Sequence, residues 1–228
     1  ENEYEKTSGR LIMQNTDDYV YIENDLVINS ESSHTDYLTD GVLEIKGDFK
    51  QIGNSSAYGN FSRYNFNTSQ NHKVKFSGSS SQDISFDSVK SGFTLIDFVN
   101  SNIIFSTRLR SAKLVNDTTL SNSINYGFTE SFDLNGNDLN INGDFIQKEE
   151  GLINLNGGIF TIEGDFIQED GEIDLAKGQL NVEGDYRLQK QELVEGIIEY
   201  TKGEALLEMD EAGDYVKVYG NYLNQNHL

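Results

Sequence analysis

Four near-copies of one seven-residue phrase constrain this chain more than anything else in it. They read Leu43-Glu-Ile-Lys-Gly-Asp-Phe49, Leu139-Asn-Ile-Asn-Gly-Asp-Phe145, Phe160-Thr-Ile-Glu-Gly-Asp-Phe166 and Leu180-Asn-Val-Glu-Gly-Asp-Tyr186. The last three lie 20 to 21 residues apart. A short fixed period means stacked supersecondary units, none of which can bury an apolar face alone. Within each phrase, Leu139/Ile141, Phe160/Ile162 and Leu180/Val182 alternate with polar residues, the two-residue period of a strand with one buried face. Gly143-Asp144, Gly164-Asp165 and Gly184-Asp185 then turn the chain, and Phe145, Phe166 and Tyr186 begin a second inward edge.

The remainder of the period agrees. Gln147 or Gln168 is followed by an acidic cluster and by Gly151 or Gly171. A third short strand follows, in which Ile153/Leu155 matches Ile173/Leu175 and, one rung earlier, Phe132/Leu134. Three strands and three corners in about 20 residues leave no room for a helix, which needs roughly 10 to 12 residues of its own. A propeller blade needs roughly 40 to 45. The predicted fold is therefore an all-β, single-domain parallel β-solenoid over 1–228, a right-handed β-helix with irregular loops in its first half.

Composition narrows the function. The formal net charge is −21, and between Gly143 and Gly196 there are 13 Asp or Glu against 4 Lys or Arg. Nucleic acid is excluded as a partner, because phosphate binding needs clustered cations. Cysteine is absent, so disulfides, zinc–thiolate sites and thiol nucleophiles are excluded too. Proline is also absent, which suits a chain hydrogen-bonded on both sides. No apolar run of 18 residues exists, so no direct membrane insertion is expected.

A longer repeat is also legible. Leu11-Ile-Met13 aligns with Leu207-Glu-Met209, and Asp18-Tyr-Val-Tyr-Ile22 with Asp214-Tyr-Val-Lys-Val218, both at an offset of 196. The expectation is a long unit over about 9–204 and a second copy starting at about 205, with adjacent repeats of the same protein as partners. Two polar stretches, 53–60 and 116–125, are expected to protrude as loops, where binding function would sit.

The passages His72-Lys-Val-Lys-Phe-Ser-Gly78, Gln82-Asp-Ile-Ser-Phe86 and Leu134-Asn-Gly-Asn-Asp-Leu139, with the Gly-Asp-Phe/Tyr phrases, resemble repeats of very large secreted or cell-surface proteins of Gram-positive bacteria. The resemblance covers roughly 9–224. It implies an extracellular, adhesin-like structural module that extends or presents other domains, with cell-surface glycans or host proteins as further partners. Right-handed coiling follows from the handedness of parallel β connections.

Chemistry is sparse. Asp144, Asp165 and Asp185 would recur every 4.8 Å or so along the stack. Either calcium offsets their repulsion, or each carboxylate holds its corner by accepting backbone N–H bonds. The corner cap is preferred, because no Gly-Gly-x-Gly-x-Asp calcium repeat occurs, and no cofactor is otherwise implied. Phe145, Phe166 and Tyr186, together with Phe49, read as an inward aromatic column. Ile141, Ile162 and Val182, and Gly143, Gly164 and Gly184, read as two more structural columns. Gln147/Gln168 and Asn135/Asn156 read as side-chain amide ladders. His34, His72 and His227 match no metal or nucleophile motif, and Arg108 and Arg110 read as a solvated pair. No catalytic residue is expected and the chain is not read as an enzyme. A carbohydrate-binding module on the loops is the alternative, and a polysaccharide-degrading β-helix enzyme the third reading.

Overall fold

The computed structural model describes residues 8–53, 64–194, 197–201 and 203–224. It is an all-β parallel β-solenoid of about eight turns. The chain divides into two compact units, Glu1–Lys113 and Leu114–Leu228.

The amino-terminal unit winds two strands into each coil. These are β1 (Tyr19–Ile22) and β2 (Leu26–Ile28), β3 (Val42–Ile45) and β4 (Phe49–Gln51), β5 (Lys73–Phe76) and β6 (Gln82–Phe86), and β7 (Leu95–Phe98) and β8 (Ile103–Phe105). β9 (Leu109–Leu114) follows. One face runs β1-β3-β5-β7-β9 and the other β2-β4-β6-β8. The pairing is parallel and in register, with Val20 beside Leu43, Leu43 beside Val74 and Val74 beside Ile96. Leu43, Ile45, Val74, Phe76 and Ile84 point inward with no exposed surface, as the alternation requires.

The carboxy-terminal unit winds three strands per coil. They are β10 (Thr118–Leu120), β11 (Phe128–Asp133), β12 (Leu139–Ile141), β13 (Phe145–Gln147), β14 (Leu152–Asn154), β15 (Ile159–Ile162), β16 (Phe166–Gln168), β17 (Glu172–Asp174), β18 (Gln179–Val182) and β19 (Tyr186–Leu188). A hairpin of β20 (Lys190–Val194) and β21 (Ile197–Thr201) precedes the coil of β22 (Leu206–Glu208), β23 (Tyr215–Val218) and β24 (Tyr222–Asn224). Its faces run β10-β12-β15-β18-β23, β13-β16-β19-β24 and β11-β14-β17-β22. Here the columns read from the phrase are present as stacks. Ile141 lies beside Ile162 and Ile162 beside Val182, while Phe145 lies beside Phe166 and Phe166 beside Tyr186. All six are fully buried. The Phe166 and Tyr186 rings stack with centroids 4.6 Å apart and planes 10° from parallel. Fully burying each such ring stabilises the fold by about 2 kcal/mol.

Two expectations are corrected, a third falls outside the described residues, and one feature was not expected. Phe49 does not extend the Phe145–Phe166–Tyr186 column, since it is the hub of a separate cluster with Phe66, Phe76, Phe86 and Phe93 at 4.8 to 6.5 Å. The segment 116–125 is not a protruding loop, because Thr118–Leu120 is β10, paired in register with Leu139–Ile141. The other proposed loop, 53–60, lies outside the described residues beyond Gly53, as does His227. Finally, β20 and β21 pair antiparallel, Lys190 with Thr201 and Val194 with Ile197, an insertion that the twenty-residue period does not foreshadow.

Candidate functional site

The Gly-Asp corners are the most regular chemistry on the molecule. Gly164 N–H donates to Gly143 O and Gly184 N–H to Gly164 O, each at 3.0 Å, and Gly220 N–H donates to Gly184 O at 3.1 Å. Beside them Asp165 N–H donates to Asp144 Oδ1 at 2.8 Å, Asp185 N–H to Asp165 Oδ1 at 2.9 Å, and Asn221 N–H to Asp185 Oδ1 at 2.8 Å. Each carboxylate therefore caps the next coil, not its own turn. Glycine is required by the close approach. A Cβ on Gly164 would lie 2.8 Å from Gly143 O and 2.2 Å from Asp144 Oδ1, and one on Gly184 would lie 2.6 Å from Gly164 O.

The amino-terminal unit repeats the device with different spacing. Asp48 N–H donates to Asp25 Oδ1 at 2.9 Å, and Asp83 N–H to Asp48 Oδ1 at 2.8 Å. A second carboxylate row runs along the other unit, where Asp138 N–H donates to Asp117 Oδ1 at 2.9 Å and Ile159 N–H to Asp138 Oδ1 at 3.0 Å. Charge is offset where cations reach it. Arg187 Nη2 lies 2.7 Å from Asp185 Oδ2 and 3.2 Å from Asp165 Oδ2. The Asn221 N–H bond, followed by Arg187, holds the Asp185 carboxyl below the usual range. Among the described residues no group of three or more His, Asp and Glu side chains is disposed to hold a metal ion.

The amide pairs differ from the ladders expected. Gln147 and Gln168 are register partners and fully buried, but neither bonds its copy. Gln147 accepts from Phe128 N–H at 3.0 Å and donates to Phe128 O and Glu149 O at 2.9 and 2.7 Å. Gln168 donates to Gly171 O and Leu206 O, both at 2.9 Å, and accepts from the Tyr186 hydroxyl at 2.6 Å. Both serve backbone groups at corners that the ladders leave unpaired. Asn135 and Asn156 are exposed turn residues with φ of 56° and 47°, left-handed positions that Asn tolerates better than most residues.

The two histidines among the described residues, His34 and His72, bond backbone atoms. His34 is buried and accepts Leu11 N–H on Nε2 at 2.8 Å, and burial lowers its pKa. His72 is buried with Nδ1 2.8 Å from Asp40 O, and burial lowers its pKa too. Arg110 is not solvated as expected. It is half-buried, its Nη1 donates to Asn67 Oδ1 at 3.0 Å and Lys90 O at 3.3 Å, and its stem packs on Gly92.

Two sites escaped the sequence. Glu44 is buried on β3 and accepts from Ser77 Oγ at 2.5 Å, Tyr19 Oη at 2.7 Å and Lys75 Nζ at 3.2 Å. Burial pushes its carboxyl up, but those three bonds outweigh it and hold the pKa down at about 2. The second is a groove of about 440 Å³ on the outer face of β10, β12, β15 and β18, lined by Thr119, Asn140, Thr161 and Asn181 with Asp117 and Asp138 at its margin. Asn140 Oδ1 is buried there with no hydrogen-bond partner. The outward positions of the phrase, Asn, Thr and Asn, carried that signal.

Comparison of the chain with protein-family models, with curated proteins and with solved structures finds no match.

Proposed function

We propose that the chain is a structural repeat module of a large bacterial surface protein, a stalk or scaffold that extends or presents other domains. The observation that carries this reading is the stacked corner. Backbone ladders, a Gly-to-Gly bond and an Asp cap tie successive coils together at the same place in each turn, so the recurring chemistry of the chain is spent on coil-to-coil cohesion. The parallel β-solenoid supports a repeat scaffold, and the bacterial surface setting rests on the resemblance of the repeats. The acidic coat discourages lateral association of exposed strand edges. Pulling a single molecule by its ends tests the mechanical part. Stepwise lengthening by about 70 Å for each coil of about 20 residues is expected, and featureless extension overturns the reading. Antibodies against the module should label intact producing cells, and label restricted to lysed cells would overturn the surface setting.

A second reading, carbohydrate binding, is favoured by the groove. Its hydroxyl and amide row, with the unsatisfied Asn140 Oδ1, offers donors and acceptors suited to sugar hydroxyls. A glycan array probed with the chain and with an Asn140→Ala/Thr161→Ala variant decides it. Selective binding lost in the variant supports the groove, and an array without selective binding removes it.

A further inference from the structure

The sequence offset of 196 is matched by conformation. Residues 15–28 and 211–224 trace the same order of turn, four-residue strand, corner and three-residue strand, position for position. The entry turn is closed by the same bonds. Asp18 N–H donates to Asn15 O at 2.9 Å and Asp214 N–H to Glu211 O at 3.2 Å. Asn15 N–H donates to Asp18 Oδ2 at 2.9 Å and Glu211 N–H to Asp214 Oδ2 at 2.8 Å. β23 thus reproduces β1, and β24 reproduces β2.

β1 and β2 carry the coil of β3 and β4 upon them, with Tyr19 beside Val42, Tyr21 beside Glu44 and Leu26 beside Phe49. No strand lies beyond β22, β23 and β24 among the described residues. This coil exposes Leu206, Met209, Tyr215, Tyr219, Tyr222 and Leu223. We infer that its open edge is the docking edge for residues 38–51 of a following copy of this repeat, in which 197–224 stand in place of that copy's own 1–28, seated in the register that β3 and β4 hold on β1 and β2. This deepens the scaffold reading and rests on it.

The chemistry of the edge fits that occupant. Transferring the register places Val216 beside Leu43, Lys217 beside Glu44, Val218 beside Ile45 and Tyr222 beside Phe49 of the incoming copy. Tyr215 stands where Tyr19 now donates its hydroxyl to Glu44, and Lys217 adds a cation beside the same carboxylate. At the corner, Gly47 of the newcomer would meet the backbone of Gly220 as within the chain it meets that of Asn24, an approach too close for any Cβ at 47. Asn221 donates both its backbone N–H and its Nδ2 to Asp185 Oδ1. Its own Oδ1 is then the acceptor for Asp48 N–H, the part Asp25 plays within the chain. Successive repeats would join as stacked coils, with no linker between them.

The test is a tandem chain in which residues 1–224 run directly into 29–228, preserving the 196-residue spacing. One cooperative melt at or above the Tm of the single chain is expected, with the amides of β23 and β24 protected against exchange. Because the chain has no cysteine, Val216→Cys in the first copy and Leu43→Cys in the second report the register by forming one disulfide on oxidation. Lys217→Glu should lower the Tm of the tandem by more than that of the single chain, where Lys217 meets the Tyr219 hydroxyl and ring and no Glu44. Two separate transitions, unprotected β23 amides and no disulfide overturn the inference. If the single chain still lengthens stepwise under force, only the junction has failed. If it extends without steps, the scaffold reading has failed whatever the junction does.

Discussion

The two compact units build the same kind of ladder in different ways. In the carboxy-terminal unit the spacing from Leu139 to Phe160 to Leu180 is 21 and then 20 residues, and each column holds nearly the same side chain at every level. In the amino-terminal unit the corresponding steps, from Tyr19 to Val42 to Lys73 to Leu95, are 23, 31 and 22 residues. Coils of unequal length leave backbone groups at their corners that no neighbouring copy can satisfy. Buried polar side chains fill that need. Among the described residues there are twelve in the amino-terminal unit, including Gln51, Asn65 and Gln82, against four in the other. Asn65, for example, donates to Ser30 O and Ile52 O and accepts from Gln51 Nε2, all at 2.8 Å. Repetition solves the pairing problem once; irregular coils solve it residue by residue.

The contrast is open to direct attack. Phe49→Ala removes the hub of four aromatic contacts and should cost about 4 kcal/mol in denaturant unfolding, the largest effect expected of any single change. A cost near 1 kcal/mol would show that the cluster refills and is no keystone. Asn65→Leu keeps the branched shape but strands two carbonyls and an amide, so a loss of about 3 kcal/mol is expected. Tyr186→Phe in the regular unit loses only the bond to Gln168 Oε1, and about 1.5 kcal/mol should suffice. If Tyr186→Phe proved the costlier of these two, the claim that irregular coils lean harder on their polar groups would be wrong.

Acid should separate the units as well. Glu44 has a folded pKa below its unfolded value, so the stability it contributes is present above about pH 4.5 and is lost as pH falls through about 2. Unfolding followed from pH 5 to 2 should show that loss, and Glu44→Gln should flatten it. In the other unit Asp185 is lowered as well, but Glu208 and Asp174 carry the opposite sign. Glu208 is raised by its contact with Glu172 and then by Asp210, and Asp174 by burial and then by the nearby carboxylates, net of a backbone bond from Ala176. These two groups take up protons on folding, so their own contribution to stability rises as pH falls toward 4. The smallest effect follows. Glu208→Gln should raise Tm at pH 7 by no more than about two degrees, with the gain vanishing by pH 4.

Much of the carboxy-terminal unit was legible because its period is short and its inward positions are apolar. Ile141, Ile162 and Val182, and Phe145, Phe166 and Tyr186, fall where alternation places them. The Gly-Asp corner was read as a turn, but the partner of its carboxylate lies a whole coil away, and a turn rule looks only at neighbours. Long-range fit hid the rest. Nothing local marks Asn65 as the plug between Ser30 and Ile52, or moves Phe49 out of the column that its phrase suggests. Gln147 and Gln168 are register neighbours but form no ladder, because they serve carbonyls whose need arises only when the corner forms. The groove on β10, β12, β15 and β18 was masked by reading 116–125 as loop, since Thr-rich polar sequence carries no apolar alternation.

The aspartate caps also give the stack a direction. Asp144 offers its acceptor to a residue made later in the chain, and Asp165 and Asp185 do the same. At these three corners a polypeptide that emerges amino end first meets a carboxylate already in place. Each arriving turn is held as it lands and becomes the template for the one behind it. Growth of this kind proceeds coil by coil, each turn closing on the one before it.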